Sequence, residues 1–244
     1  TGLLTYGLST TADVKAANIE YFDNHTSFDV VLSNKILSSA ETWKKITLPM
    51  LGKHNVLNCL ASISIAIEMG ISENSIRNTL NNFKGIKRRF ESKGVTNNGI
   101  KIIDDYGHHP VEITYALSSG RILASKNKLI AIFQPHRYSR LKDLFDEFCQ
   151  CFNNADYVFI TDVYAAGESE IENFNKETLA AGISDFGHNN VSIINNENEI
   201  CDKIHSIAKP NDVVIFLGAG SITKWSDTIV HQLNNSGLKN EKIF

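Results

Sequence analysis

Two short segments carry most of the side chains that could do chemistry, and each follows an apolar run typical of a buried strand. The segments span residues 104–110 and 133–140. Because the carboxyl ends of parallel strands meet at one edge of an α/β sheet, we expect both segments at a single ligand site. Guanidinium groups bind carboxylates and phosphates, so the predicted ligand is an anion. The side chains concerned are those of Asp104, Asp105, Tyr106, His108, His109, His136, Arg137 and Arg140.

The second segment places two arginines at the start of a predicted helix. Arg137 and Arg140 are three residues apart, so both reach the same side if that turn is helical. The N-terminus of a helix itself favours anions. The alternative, an ion pair between Arg140 and Asp143 on a solvated face, accounts for one arginine but not for the whole group.

The first segment places two adjacent histidines before Pro110, which suits the first turn of a helix. We expect one of His108 and His109 to bond locally and the other to face a substrate. A metal site is a less favoured alternative, because adjacent histidines on a helix point in different directions. Asp105 either accepts hydrogen bonds from ribose hydroxyls or caps the following helix.

A polar stripe marks an otherwise apolar helix near the start of the chain. Asn55, Asn58 and Ser62 recur at helical spacing. A carboxamide offers a donor and an acceptor, which suits the edge of an adenine ring. The alternative is an asparagine that caps its own helix backbone.

Two other patterns have competing interpretations. Four cations within residues 84–89 either clamp a phosphate or form a solvated loop. Residues 216–221 run from a strand through Gly218 and Gly220 into a helix. Because position 223 is Thr rather than a third glycine, this turn predicts close strand–helix packing rather than dinucleotide binding.

Composition excludes several classes of protein. The chain has 42% hydrophobic and 21% charged residues and a formal net charge of -3, which argues against a general nucleic-acid or membrane-surface binder. No apolar run is long enough to span a membrane, and no signal peptide is visible. The four cysteines form no CxxC pair, so we interpret them as small buried hydrophobes of a protein in the reducing cytoplasm.

From about residue 85 the chain alternates regularly between strands and helices, which predicts a doubly wound, mostly parallel α/β sheet. The predicted strands span 90–95, 100–104, 129–133, 157–161, 191–194 and 213–217, and the predicted helices 110–123, 139–152, 176–183, 197–207 and 222–233. Before residue 85 we predict strands at 3–8, 28–32 and 43–48, a helix at 55–69 ended by Gly70, and a helix capped by Ser72. The predicted domains are 1–84 and 85–244.

In combination, these motifs resemble the Mur ligases. The matching segments are 52–58, 87–91, 104–110 with Glu112, 133–140, 161–164 with Gly167 and Glu168, and 218–220. They follow the family order over nearly the whole chain, and the 104–110 and 133–140 segments favour the members that add L-alanine. The resemblance implies a complete C-terminal Rossmann-like domain, preceded by the C-terminal part of a central α/β ATPase domain.

The resemblance also implies a role for each candidate residue. For ATP it implies contacts from Asn55 and Asn58 to adenine, from Arg89 to the phosphates and from Asp105 to the ribose. For the amino acid and acyl phosphate it implies a pocket lined by Tyr106, His108, His136, Arg137 and Arg140. Catalytic roles fall to His108, Arg137 and Arg140, with His108 as the candidate base.

By the same resemblance the expected activity is ATP-dependent ligation of L-alanine to UDP-N-acetylmuramate through an acyl phosphate, in the synthesis of peptidoglycan precursors. ATP and Mg²⁺ are the expected cofactors, with the phosphate-binding loop and the Mg²⁺ ligands in a preceding half of the protein. We expect a cytoplasmic protein with no nucleic-acid or membrane partner and allow for a homodimer. We expect the 244 residues alone to be inactive.

Two alternatives to the alanine-adding ligase stay open at this point. One is a ligase that recycles peptides onto UDP-N-acetylmuramate. The other is a non-catalytic nucleotide-binding module. A dehydrogenase built on residues 218–221 is disfavoured, because no acidic ribose partner follows that turn.

Overall fold

The computed structural model describes residues 3–36 and 40–236. The chain divides into two compact units, Thr1–Gly85 and Ile86–Phe244, each with its own apolar core.

The first unit is a four-stranded sheet covered by two helices. The strands lie in the order β1-β2-β3-β4, with β1 and β2 parallel and the remaining pairs antiparallel. Alternate residues of β3, among them Phe28, Val30 and Leu32, are buried against the helices. The elements are β1 Tyr6–Gly7, β2 Val14–Tyr21, β3 Thr26–Leu32, β4 Glu41–Leu48, α1 Lys53–Glu68 and α2 Glu73–Asn81.

The predicted end of α1 at Gly70 and the predicted Ser72 cap of α2 are confirmed, whereas α1 begins at Lys53, two residues before its predicted start. Gly70 follows α1 with a φ of +75°, and the N–H of Ile71 donates to the carbonyl of Ala66 at 3.0 Å, which closes a Schellman motif. The Ser72 side chain caps α2 by accepting from the Ser75 N–H. Two strand predictions fail: the strand expected at 3–8 is only Tyr6–Gly7, and β2 was not predicted.

The second unit contains the predicted doubly wound sheet, in the order β5-β6-β10-β7-β8-β9. All neighbouring strands are parallel except β5, an antiparallel edge strand paired with β6. The strands are β5 Glu91–Val95, β6 Lys101–Asp105, β7 Leu129–Phe133, β8 Tyr157–Ile160, β9 Val191–Ile193 and β10 Val213–Leu217. The helices are α3 Pro110–Ala124, α4 Tyr138–Asp143, α5 Phe145–Gln150, α6 Lys176–Asp185, α7 Glu197–Ile207 and α8 Ile222–Ser236.

The two faces of this sheet bury separate apolar cores. Along β7, Leu129, Ala131 and Phe133 contribute to one core and Ile130 and Ile132 to the other, as the twofold period of a strand requires. Helices α3 to α6 cover the first core, and α7 and α8 cover the second. Because both faces are covered, the central strands are continuous apolar runs.

The predicted helix 139–152 is divided into α4 and α5. Leu144, between them, has a φ of -124° and a ψ of 29°, outside the helical region. The predicted apolar face is nevertheless retained, because Leu141 and Phe148 are buried and Leu144 packs against the same core.

Candidate functional site

The carboxyl ends of three adjacent strands stand level at one edge of the second unit. The end of β10, Leu217, pairs with Asp105 of β6 and with Phe133 of β7. The backbone pairing continues one residue further, since Gln134 donates its N–H to the carbonyl of Leu217 at 2.9 Å. The segments 104–110 and 133–140 therefore meet, as the sequence predicted.

The Gly218–Ser221 turn packs against Gln134. The Gln134 side chain accepts from the Ile222 N–H at 3.1 Å and donates to the Ser221 hydroxyl at 3.2 Å. A Cβ at Gly218 would lie 2.9 Å from the Gln134 carbonyl oxygen, and a Cβ at Gly220 would lie 2.5 Å from its Oε1. The predicted packing role of these glycines is confirmed.

The two aspartates that end β6 are both buried. Asp105 accepts from the N–H of Gly107 through one oxygen and from the N–H of Phe90 through the other, each at 2.7 Å. Burial is the main cause that raises the pKa of Asp105 to about 6. Its carboxylate thus holds the loop backbone, and each oxygen keeps a second lone pair for another donor.

Asp104 forms a buried polar group with Thr223 and Arg88. The Thr223 hydroxyl donates to Asp104 Oδ2 at 2.8 Å, and Arg88 Nε lies 3.6 Å from the same oxygen. Burial raises the pKa of Asp104. Arg88 also donates to the Gly218 carbonyl at 2.6 Å and lies over the Tyr106 ring at 4.7 Å. Arg88 thus links the end of β6 to the turn after β10, a role that was not predicted.

The two adjacent histidines have different environments, but both make a local hydrogen bond, whereas only one was expected to do so. His109 is the N-cap of α3, where its Nδ1 accepts from the Val111 N–H at 3.3 Å. Glu112 completes the cap by accepting from the N–H groups of both His108 and His109. The His108 backbone thus contributes to the cap, whereas its side chain bonds to the Tyr106 carbonyl.

Tyr106, His108, His136 and Tyr164 form a connected group of rings, here called the ring cluster. The His108 ring lies 5.1 Å from Tyr106 and 5.7 Å from His136, and His136 stacks on Tyr164 at 5.3 Å. Tyr164 lies in the matching segment 161–164 and had no predicted role. Only its position after β8 could have indicated that it would lie beside His136.

Hydrogen-bond partners determine the tautomers of the two central imidazoles. His108 Nδ1 lies 3.0 Å from the Tyr106 carbonyl, which only accepts, so Nδ1 carries the hydrogen and Nε2 the lone pair. His136 Nδ1 lies 3.3 Å from a guanidinium nitrogen of Arg140, which only donates, so the assignment is reversed. Burial lowers the pKa of both histidines, and the charge of Arg140 lowers them further. Both imidazoles are therefore neutral at pH 7.

The predicted arginines have different partners. Arg140 reaches back along α4 and donates to the His136 carbonyl at 3.0 Å. Among the ion pairs of residues 3–36 and 40–236, none joins Arg140 to Asp143, so that alternative is wrong. Arg137 is exposed, has a φ of +72°, and lies 3.8 Å from a carboxylate oxygen of Glu168.

The anion at the start of α4 is a side chain of the chain itself. Glu168 accepts from the Ser139 N–H at 3.0 Å and from the Ser139 hydroxyl at 2.7 Å. These bonds lower the pKa of Glu168, which is ionised at pH 7. A ligand anion would thus meet the arginines rather than this backbone N–H.

Within the described residues, the Arg89 guanidinium has N–H donors that make no hydrogen bond. Its guanidinium is about half exposed, lies over the Tyr106 ring at 5.6 Å and stands 3.7 Å from Glu112, beyond hydrogen-bond distance. In the described part of the chain no hydrogen bond occupies its N–H groups, so its donor set suits a phosphate group.

Asn55 and Asn58 lie on α1 of the first unit. The Asn55 amide is buried and donates to the Leu51 carbonyl at 2.7 Å, which is the local bond of the alternative interpretation. Asn58 is exposed. The structure therefore assigns Asn55 a structural bond and leaves the Asn58 amide accessible.

The described residues contain neither a metal-binding cluster nor a membrane-spanning helix. No group of three or more His, Cys, Asp or Glu side chains there could hold a metal ion. No helix within residues 3–36 and 40–236 has the length and apolar character to cross a membrane. All four cysteines are free and buried, as expected.

The fold and the site together define an α/β domain that presents cations and imidazoles at the carboxyl ends of a doubly wound sheet. Comparison with known families identifies the class further. Residues 88–220 match the Mur ligase glutamate ligase domain, and residues 1–66 match the Mur ligase middle domain. The chain belongs to the Mur ligase family.

Individual relatives agree with this assignment. The chain is 48% identical over 231 residues to the UDP-N-acetylmuramate–L-alanine ligase of Rhodospirillum rubrum, covering 95% of this chain and 48% of that protein. It is 44% identical over 241 residues to that of Granulibacter bethesdensis, covering 99% of this chain and 50% of that protein. The chain thus spans about half the length of the curated relatives it matches.

Solved structures show the same fold. The UDP-N-acetylmuramate-alanine ligase MurC of Thermotoga maritima superposes with a TM-score of 0.77 at 25% identity, over 96% of this chain and 49% of that one. MurF of the same organism, solved in complex with ADP, superposes with a TM-score of 0.66 at 17% identity, over 98% of this chain and 49% of that one.

Proposed function

We propose that the chain forms the C-terminal portion of an ATP-dependent ligase that joins L-alanine to UDP-N-acetylmuramate. The observation that carries the proposal is the ring cluster with Arg137 and Arg140 at the carboxyl ends of β6 and β7. Relatives named for this activity, at up to 48% identity, support the choice of substrate. When bound, ATP would supply the phosphoryl group that activates the muramyl carboxylate.

In this proposal Arg137 and Arg140 bind the carboxylate of L-alanine. A planar guanidinium donates two parallel hydrogen bonds to a carboxylate. Arg140 is oriented by two contacts to His136, and Arg137 is exposed and only weakly paired. Two cations also neutralise charge in a site where carboxylates and phosphates gather, which lowers the barrier for attack by the amine.

In the same proposal His108 accepts a proton from the alanine ammonium group. Its Nε2 carries the lone pair, and burial keeps the imidazole neutral at pH 7, so it can act as a base. Tyr106 and His136 flank the ring.

Each contact to ATP is proposed for an individual residue. We assign Arg89 to the phosphates because its donors are free in the described part of the chain, and Asp105 to the ribose through its remaining lone pairs. Asn58 is assigned to adenine, and so is Asn55 through the oxygen of its side-chain amide. Mg²⁺ ligands and a phosphate-binding loop are expected outside these residues. A cytoplasmic location and a homodimer belong to the same proposal.

The test uses the gene product that contains these 244 residues. Phosphate release should require ATP, UDP-N-acetylmuramate and L-alanine together, and a free peptide should not replace L-alanine. Preference for a peptide or another amino acid would refute the alanine assignment. The 244 residues alone should show no turnover, and ligation by them alone would refute that expectation.

The role of Arg137 has its own test. Arg137→Ala should raise the KM for L-alanine by about tenfold or more, since a charge-assisted hydrogen bond is lost. Lys142→Ala, which removes an exposed cation from the same helix, is the control and should leave KM unchanged. An equal response of the two variants would contradict the proposed carboxylate contact.

A further inference from the structure

Helix α4 does not cap itself. Its N-cap residue is Arg137, in the left-handed region with a φ of +72°, and makes no side-chain cap hydrogen bond. The first N–H groups of a helix have no partner inside the helix, so they need one from elsewhere. Glu168 supplies it from the loop after β8, 29 residues further along the chain, by accepting from both the N–H and the hydroxyl of Ser139.

The same loop also contacts the three residues that lead into α4, Pro135 to Arg137. Arg137 donates its N–H to the Tyr164 carbonyl at 2.9 Å, and Tyr164 donates its N–H to the Pro135 carbonyl at 2.8 Å. The Tyr164 ring stacks on His136. The turn that carries His136 and Arg137 is therefore bonded to the loop at its backbone, its ring and its helix terminus.

Glu168 connects this support to the charge of the site. Its Oε1 accepts from the Ser139 hydroxyl and lies 3.8 Å from Arg137 Nη1. A carboxylate held at Ser139 thus limits the directions in which the exposed Arg137 guanidinium can point. Gly167, with a φ of +88°, turns the loop immediately before this glutamate.

We propose that Glu168 is a positioning residue for the amino-acid substrate: it caps α4 from outside and orients Arg137 towards the substrate carboxylate. This inference rests on the proposed function, because it assumes that Arg137 contacts an amino acid. It predicts that loss of Glu168 weakens binding of L-alanine selectively and leaves binding of ATP nearly unchanged.

Kinetics of three variants of the gene product test this. Glu168→Ala should raise the KM for L-alanine about tenfold, which lies within the roughly 100-fold effect that a misplacement of about 1 Å can have, and should change the KM for ATP less than about twofold. Glu168→Gln should have a smaller effect, because its amide still accepts from Ser139. Glu172→Gln, exposed in the same loop, is the matched control and should match the wild type.

Amide hydrogen exchange in the 244-residue chain gives a readout that does not depend on activity. The Ser139 N–H should exchange faster in Glu168→Ala and stay protected in Glu168→Gln, with a far-ultraviolet circular dichroism spectrum like that of the wild type. An unchanged KM for L-alanine, equal rises in both KM values, or unchanged Ser139 exchange in Glu168→Ala would each overturn the inference. A wild-type protein without alanine-dependent phosphate release would instead refute the proposed function, and the inference with it.

Discussion

Replacement of Gly218 by alanine tests whether the Gly218–Ser221 turn is packed or open for a ligand. The φ of Gly218 is +148°, and an added Cβ would lie 2.9 Å from the Gln134 carbonyl oxygen and 3.2 Å from Ile222 Cγ2. Backbone strain from an L-residue costs about 1–2 kcal/mol. Overpacking against a rigid neighbour adds about 1–3 kcal/mol. Gly218→Ala should therefore lower the free energy of unfolding by about 2–5 kcal/mol.

Gly187 offers a matched control in the same unit. Its φ is +101°, and an added Cβ would meet nothing within 4 Å. Gly187→Ala should thus cost only the backbone strain, about 1–2 kcal/mol, and the difference between the two variants measures the contacts of the added Cβ with Gln134 and Ile222.

Urea unfolding followed by tryptophan fluorescence measures both variants. The chain has two tryptophans, Trp43 in the first unit and Trp225 in α8 of the second. In a Trp43→Phe background, Trp225 alone reports on the second unit. If Gly218→Ala costs no more than Gly187→Ala, the turn has room for a side chain, and the packing interpretation fails.

Two further predictions concern buried ionisable groups. The Asp105 carboxyl should titrate with a midpoint near pH 6 in a ¹³C NMR titration, and a midpoint at or below 3.8 would contradict the effect of burial. This pKa lies above the unfolded value of 3.8, so the carboxyl's contribution to stability is present below pH 3.8 and is lost as the pH rises towards about 6. At 1.36 kcal/mol per pKa unit, the loss in the free energy of unfolding is about 3 kcal/mol. The four cysteines, whose thiol pKa values burial raises, should react with a thiol reagent such as dithionitrobenzoate only after unfolding, so rapid reaction of any thiol in the native chain would show that it is accessible.

Much of the second unit could be predicted because its signals are local. The bounds predicted for β7 and β10 agree with the structure, since strands buried on both faces are uninterrupted apolar runs. The start of α3 was predicted at Pro110 and the start of α6 at Lys176. In each case a residue suited to a helix start, Pro110 or Asn175, marks the boundary in the sequence itself.

The failed predictions concern features that the local sequence pattern does not reveal. Strand β2 is half exposed and mixes small, charged and apolar residues, so its pattern is weak, and pairing with β1 and β3 stabilises it. The division between α4 and α5 at Leu144 leaves the apolar face intact, so periodicity alone does not reveal it.

The sequence by itself determined which chemical groups stand at the ends of β6 and β7, because a strand end followed by polar residues is a local pattern. Only the tertiary structure decided what each group does. The Asp105 carboxylate accepts hydrogen bonds from loop N–H groups, and Glu168, in the loop after β8, accepts from Ser139. The His109 side chain caps α3, whereas the His108 ring lies in the ring cluster. These partners are remote in sequence or depend on side-chain direction, and a hydrogen bond requires a distance and an angle that spacing along the chain does not specify.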